Sequence, residues 1–312
     1  MLFAIDHGNF FCKSTTDIFV SGVAEHSVRP PLADDVIRYE GRYWTLTGSR
    51  IPYIRDKTRD ERFFILTLFA IARELRISGS LPPYEDIELA VGLPPEHYSV
   101  LKARFAGYFK RTAVNFQYND TTVCLSIRQV FVYPQAYAAV VPKGHMLINT
   151  PRVFIIDIGG YTTDVLLLRN GKPDLQFCRS LETGVITMNN SIIGKVGAQH
   201  DLRLEDDHIA DVIQGRETIL PPDVVDMIRG AAAGHTNTIL DKLRELQVDL
   251  RSTQAIFIGG GAMLFRENIG ESPMVAKADF IADTKANAIG YLTLAANQLR
   301  KLSLKGVGNG NA

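Results

Sequence analysis

The chain has 312 residues, 46% of them apolar and 22% charged, with 34 Lys and Arg set against 34 Asp and Glu. That length allows about two domains, each with a sizeable core. Zero formal net charge argues against a body that binds DNA or a membrane by bulk electrostatics, and it leaves little self-repulsion to oppose association. Cys12, Cys124 and Cys178 are scattered and odd in number, so they form neither a disulfide framework nor a zinc pattern, and a reducing compartment is expected. The longest apolar run, Phe63–Ala72, is broken by Thr67 and falls well short of the roughly 20 residues that a bilayer span needs. No charged leader precedes the first strand, and a soluble, cytoplasmic protein is the expectation.

The first residues, L-F-A-I-D-H-G-N-F-F-C-K-S, read as an apolar strand ending in Asp6, a turn at Gly8 and a return arm carrying Lys13. Asp17–Val23 reads as a third strand and Arg29–Asp35 as a turn-rich exit. A hairpin with Gly41 at its turn is expected within Val36–Leu46. Arg59–Ile77 reads as a helix stopped by Ser78 and Gly79. Ile87–Val91 is a short strand closed by Gly92–Pro95, and Glu96–Phe109 is a second helix with Tyr98, Leu101, Phe105 and Phe109 near one face. A strand over Val123–Val132 leads to Y-P-Q-A-Y-A-A-V-V, where a helix opening near Gln135 is expected, then to a loop over Pro142–His145.

The second half repeats the plan. Val153–Leu168 (V-F-I-I-D-I-G-G-Y-T-T-D-V-L-L-L) is a hairpin of two β-branched and aliphatic runs around a Gly-Gly turn. Leu175–Leu181 is a third strand, and Glu182, Thr183 and Gly184 lead into a helix from about Val185 to Val196. Asp201–Leu250 is polar and helical, divided by Pro221 and Pro222. Ala255–Phe265 reads as an apolar strand ending in a glycine triplet, and Thr284–Leu302 as a closing helix. The tail Gly306–Ala312 is expected to be disordered.

The chain thus carries two strand-Asp-x-Gly hairpins, at Asp6 and Asp157, about half its length apart. Glycines let backbone N–H groups converge on an anion, and a tight turn aims several of them together. A carboxylate at each strand end can hold Mg²⁺ through water, because that ion dehydrates reluctantly and favours one or two carboxylates plus phosphates. Lys13 is placed to reach a phosphate oxygen as a point charge. Either hairpin alone would be an ordinary turn; the pair points to phosphate and metal chemistry. His7 reads as a loop side chain and Cys12 as a small buried hydrophobe.

On these residues the chain resembles the actin-like ATPase superfamily, and within it the ParM/StbA group of bacterial plasmid-segregation actins. Asp6-x-Gly8 with Asn9, Phe10 and Lys13 resembles the first phosphate loop. Asp157–Asp164, with Gly159, Gly160, Tyr161 and Thr162, resembles the second. Phe257–Ala262, containing Gly259, Gly260, Gly261 and Ala262, resembles the adenosine motif, and Tyr133–Ala136 resembles the connecting helix whose polar residue, here Gln135, positions the attacking water. Val91–Pro94 and Ala286–Tyr291 resemble further landmarks of such chains. Gln135 stands where ParM-like proteins can carry Glu, and the ribose-contacting acid stays open among Glu205, Asp206, Asp207 and Asp211. Gly184 serves equally as a nucleotide contact or as an ordinary helix start.

The resemblance implies an α/β, duplicated, ribonuclease H-like fold with an interdomain nucleotide cleft. It implies a first domain over residues 1–150 with an insertion at about 30–100. A second follows over 151–303 with an insertion at about 185–254, then a closing helix packed back on the first and a tail at 304–312. It also implies ATP or GTP with Mg²⁺ held through Asp6 and Asp157, and hydrolysis assisted by Gln135. Self-association is implied as a head-to-tail filament, with a DNA-binding adaptor at a plasmid centromere and no direct contact with nucleic acid or membrane. A sugar or acid kinase of the same superfamily is the first rival; it would need an acceptor-side base, for which Asp164 is the hairpin candidate. A non-polymerising chaperone or reactivating factor is the second, and would ordinarily carry an extra substrate-binding domain.

Overall fold

A strand that is apolar or small on both faces needs a layer on each side, and β1 (Leu2–His7) is such a strand up to Asp6. The computed structural model describes residues 1–79, 81–147 and 150–308 and supplies both layers. The chain divides into two compact units, Met1–Lys143 with Lys285–Ala312, and Gly144–Thr284.

In the first unit β1 is followed by β2 (Phe11–Lys13), β3 (Ile18–Val20), β4 (Val23–His26), β5 (Val36–Tyr39), β6 (Arg42–Leu46) and helix α1 (Arg62–Ile77). Then come β7 (Tyr84–Leu93), α2 (Pro95–Phe109), β8 (Val114–Tyr118), β9 (Thr121–Pro134) and α3 (Tyr137–Val140). Among the described residues the strands form one sheet in the order β3-β2-β1-β7-β9-β8-β5-β6-β4. Strands β1, β7 and β9 are parallel, while β2 and β3 run antiparallel at the edge.

Side chains alternate across this sheet with a period of two. Phe3, Ile5, Leu89 and Val91 enter the core with α1. That helix is buried without a break from Phe63 to Ala72, as expected of a helix that is apolar on all sides. Ala4 and Ala90 face the other way, onto the closing helix Ala286–Gly308, with Phe131, Ala138, Tyr291 and Ala295. Ala4, Ala90 and Gly92 are small where the helix comes very close. A Cβ on Gly92 would lie 1.9 Å from the Tyr291 hydroxyl, and one on Gly290 would lie 1.9 Å from the Ala138 carbonyl oxygen.

The second unit contains α4 (Gly144–Leu147), β10 (Val153–Ile158), β11 (Thr163–Arg169), β12 (Lys172–Leu181), α5 (Val185–His200), α6 (Asp206–Ile213) and α7 (Pro222–Glu245). It ends with β13 (Gln254–Ile258), α8 (Gly260–Leu264), α9 (Arg266–Gly270) and β14 (Ala278–Phe280). Its sheet order, β12-β11-β10-β13-β14, repeats β3-β2-β1-β7-β9 of the first unit. The strand senses repeat too: antiparallel on the hairpin side, parallel beyond the first strand. The α/β class and the duplication expected from the two hairpins are therefore present in the strand order itself.

Some elements differ from expectation. Strands β4, β8 and β14 are additional. The strand expected over Ala255–Phe265 ends at Ile258, because Gly259 (φ 89) turns the chain into α8. Pro142–His145 is not a loop but runs through a 3₁₀ turn into α4. The closing helix continues to Gly308, past the expected start of a disordered tail, and residues 309–312 lie outside the described residues.

The close approach of the closing helix sets a stability test. Gly92→Ala and Gly290→Ala should each destabilise the protein by about 1–3 kcal/mol through overpacking. Gly107→Ala in α2, where a Cβ meets open space, should instead gain up to about 1 kcal/mol of helix propensity. Urea unfolding of the three variants measures both signs.

Candidate functional site

The alternation of β1 decides where its polar end points. Asp6 shares the parity of Ala4 and lies on the face of the closing helix; His7 shares that of Phe3 and Ile5 and turns toward α1. Only 3% of Asp6 is exposed. Its Oδ1 accepts from Gln135 Nε2 at 2.8 Å and from the Tyr291 hydroxyl at 3.4 Å. Lys13, half-buried on β2, is the register partner of Asp6 across the hairpin.

The turn between these strands is held from behind. Ser21 donates its hydroxyl to the Gly8 carbonyl at 2.7 Å and its N–H to the Phe10 carbonyl at 2.9 Å. Gly8 is required here, since a Cβ would sit 2.5 Å from the Phe11 carbonyl oxygen. Asn9 is half-buried in the turn. The Phe10 ring packs against Phe11 with the Arg50 guanidinium over it, so its side chain serves the loop's own packing.

His7 is a core residue and not the loop side chain expected. Its ring stacks on Phe109 at 5.0 Å and its Nε2 lies 2.8 Å from the Thr67 hydroxyl. Lys57 donates to its carbonyl oxygen. Burial, and secondarily the Lys57 charge, push its imidazole down to about 3. Burial likewise pushes up the Cys12 thiol on β2, which agrees with its reading as a small hydrophobe.

Gln135 is aimed by an unusual turn. Its N–H donates to the Leu93 carbonyl at 2.8 Å, and its own carbonyl accepts from Tyr137 N–H at 2.6 Å. These atoms close a γ-turn about Ala136, at φ 62 and ψ −54. An L-residue held there stores about 1–3 kcal/mol of strain. The buried Ala136 N–H is taken by Asn287 Oδ1 of the closing helix at 3.0 Å. Helix α3 therefore opens at Tyr137, two residues beyond the start expected near Gln135. Asn287 and Tyr291 had no assigned role in the sequence reading, although their spacing of four along a helix puts them on one face.

In the second unit Asp157 stands opposite Asp164 in the β10–β11 register. The turn is closed by Gly159 N–H to the Thr162 carbonyl at 2.8 Å, and the Thr162 hydroxyl donates to Asp164 at 3.2 Å. The carbonyls of Gly159, Gly160 and Tyr161 accept from the N–H groups of Val185, Ile186 and Gly184, at 3.1, 2.7 and 2.9 Å. The α5 start thus places otherwise unsatisfied amides on the hairpin. Gly184 is necessary for this seam, because a Cβ would lie 2.4 Å from the Gly160 carbonyl oxygen. Thr183 links the same seam to α7: its carbonyl accepts from the Thr163 hydroxyl at 3.2 Å and lies 3.1 Å from His235 Nε2.

The glycine triplet divides by role. A Cβ at Gly259 would lie 2.4 Å from Asp157 Oδ1, and one at Gly261 would meet Ile158 and Val185. Gly260 is exposed and faces open space, and Ala262 is buried. Hence the Asp157 strand end, the Gly159–Thr162 turn, the Gly184 helix start and the Gly259–Ala262 turn meet in one place. In the first unit Asp6, Lys13 and Gln135 meet beside the Gly8–Phe10 turn.

Of the four open acids, Glu205 caps α6 and Asp211 is paired with Arg216 at 2.7 Å. Asp206 accepts from Asn189 Nδ2 at 2.7 Å, which ties it to α5, and Asp207 is exposed. Among the described residues no three His, Cys, Asp or Glu side chains gather into a metal cage. Mg²⁺ does not need one. Asp6 fits that ion's requirement, being a buried carboxylate whose partners here are a neutral amide and a neutral hydroxyl. No described helix is long and apolar enough to cross a membrane.

Comparison with known proteins bears on the whole chain. The family model for the N-terminal domain of actin-like proteins matches residues 4–137, and that for the C-terminal part of the archaeal MreB-like actin homologue matches residues 155–271. No curated protein gives a significant match. Among solved structures, the archaeal actin homologue Ta0583 is 19% identical with a TM-score of 0.74, over 95% of this chain and 99% of that one. Its complex with ADP superposes at 0.73, with 18% identity over the same shares of the two chains. A 15-stranded ParM filament from Clostridium botulinum gives 0.73 and 19% identity, again over 95% and 99%. At these identities the likeness is one of fold.

The buried His7 sets a pH dependence. Unfolded, its imidazole titrates near 6.5; folded, it is held to about 3, so the unfolded state binds more protons in between. Stability should therefore fall as pH drops below about 6.5, by up to about 1.4 kcal/mol per pH unit from this residue, and should not depend on it at higher pH. Urea midpoints between pH 7.5 and 5 should show a shallower slope in His7→Gln. A residual slope remains from His97 and His235, both lowered by burial.

Proposed function

The chain belongs to the actin-like proteins, and on that premise we propose that it is a nucleotide-dependent, filament-forming ATPase of the ParM kind that segregates plasmid DNA through an adaptor. The observation that carries this reading is the repeated strand end. On the same strand order, Asp6 is joined by Lys13 and Gln135, and Asp157 is joined by a glycine hairpin and the Gly259–Ala262 turn.

The residues have distinct tasks. Lys13 and the Gly8–Phe10 turn bind phosphate oxygens from one hairpin, and the Gly159–Thr162 turn binds them from the other. Gly260 offers a flat, open surface for the adenosine. Asp6 and Asp157 would hold Mg²⁺ through water, and the ion would supply positive charge against the charge that develops on the phosphoryl group. Gln135 donates to Asp6 through Nε2, which leaves Oε1 to accept a hydrogen bond from the attacking water. An amide is too weak a base to deprotonate that water, so its contribution is orientation. Support for assembly comes from the ParM filament of the same fold and from a net charge of zero. A neutral filament leaves DNA contact to a separate adaptor bound at the plasmid centromere.

Polymerisation distinguishes this reading from a kinase. Light scattering and electron microscopy across a concentration series should show filaments above a threshold with ATP or GTP and Mg²⁺, and hydrolysis per molecule should rise there. A head-to-tail contact is heterologous and need not close. A chain that stays monomeric with every nucleotide, and phosphorylates a small sugar or acid, would replace the proposal with the kinase. Gln135→Ala should retain ATP binding while hydrolysis falls by roughly 10²–10⁴, the loss typical of a positioned catalytic group; its filaments should persist longer.

The glycine triplet gives a separate check on the adenosine surface. Gly260→Leu should leave the melting temperature near that of the wild type, since its Cβ meets nothing, yet weaken nucleotide binding in titration calorimetry. Unchanged affinity would remove Gly260 from the site.

A further inference from the structure

The closing helix contributes two side chains, four residues apart, to the surroundings of Asp6. Tyr291 reaches the carboxylate itself. Asn287 reaches one residue past Gln135, where its Oδ1 accepts the Ala136 N–H at 3.0 Å. Gly290 lies three residues from Asn287, and its contact with the Ala138 carbonyl brings this stretch of helix against α3. The peptide between Gln135 and Ala136 is thereby tied at both ends: its carbonyl accepts from Tyr137 N–H at 2.6 Å, and its N–H donates to Asn287.

That double tie matters because Ala136 holds a backbone conformation that L-residues avoid, at φ 62. Ala136 is fully buried, so its N–H cannot turn to water if the Asn287 acceptor is lost. The relaxation open to it is a rotation of that peptide, which breaks the bond to Tyr137 and swings the Gln135 side chain away from Asp6. We propose that Asn287 is a positioning residue for Gln135, which locks the γ-turn at Ala136 and so fixes the direction of the Gln135 amide. The inference rests on the reading of Gln135 as the residue that orients the attacking water.

Asn287→Ala should lower kcat by roughly 10- to 100-fold, the range expected when a catalytic group is misplaced by about an ångström, and leave the affinity for a non-hydrolysable ATP analogue unchanged. Adding Ala136→Gly should restore part of the loss, because glycine adopts positive φ without a Cβ penalty and so removes the strain that favours relaxation, although the N–H still lacks its acceptor. A purely structural role for Asn287 would not be rescued in this way, since the added glycine can only loosen the chain. Wild-type kcat in Asn287→Ala, or a loss that Ala136→Gly fails to restore, overturns the proposal. Should Asn287→Ala fail to fold, Asn287→Ser is put through the same measurements.

A crystal structure of the variant separates this proposal from the functional reading beneath it. The lock predicts that Ala136 moves to negative φ and that the Gln135–Asp6 hydrogen bond is lost. An unchanged turn overturns it whether or not the wild type hydrolyses ATP. A shifted turn in a protein whose wild type lacks ATPase activity sinks the function and upholds the lock.

Discussion

A carboxylate at the end of a buried strand must be given partners by the protein itself, and much of the first unit follows from that need at Asp6. Its side chain faces the closing helix because β1 alternates, and that face includes the small residues Ala4, Ala90 and Gly92. Small residues let the helix approach until the Tyr291 hydroxyl reaches the carboxylate. The same approach sets Gly290 against α3 and Asn287 against the turn that carries Gln135. A segment near the end of the chain thus completes the surroundings of a residue near its beginning.

The second unit meets the same need by a different route. Its strand order repeats that of the first, and Asp157 occupies the position of Asp6. Here glycine turns make the close approaches. A glycine at 259 lets the β13–α8 turn lie against the carboxylate, and a glycine at 184 lets α5 place three N–H groups on the hairpin carbonyls. The two units share a topology but surround the carboxylate differently. One relies on long side chains from a distant helix, the other on turns that only glycine can make. The consequence for chemistry is that Gln135, a side chain aimed by the Ala136 turn, belongs to the first, and the backbone-bonded hairpin seam to the second.

Much of this was legible in local pattern. Apolar strands that carry Asp near their ends, a Gly41 turn with φ 79, the continuous apolar run of α1 and the prolines at 221 and 222 all act within a few residues, and each formed, although both strands run one residue past the Asp. What was misread depends on neighbours far away in sequence. His7 looked like a loop residue because it precedes Gly8; β1 extends through it because Thr67 and Phe109 enclose its ring. The short strands β4 and β14 carry little pattern of their own and exist because β6 and β13 pair with them, whereas β8 alternates apolar and polar residues over V-N-F-Q-Y and was legible but overlooked. The strand expected to run to Phe265 looked continuous in hydrophobicity, yet Gly259 ends it, since apolar content alone cannot distinguish a buried strand from the buried helix that follows.

The sequence by itself determined the class of fold, the duplication and the residue types at both strand ends, because those features rest on periodicity, turn chemistry and glycine, which operate over single elements. It also contained Asn287 and Tyr291, inside a stretch that resembles a family landmark, but nothing local says what either side chain touches. Only the tertiary structure decided that they meet Ala136 and Asp6. It also decided that Gly259, Gly261 and Gly184 are needed for close packing while Gly260 is open. The reason is physical: a side chain's partner across a sheet is set by how closely two elements approach, and that distance follows from the packing of the whole unit, not from the order of residues along either element.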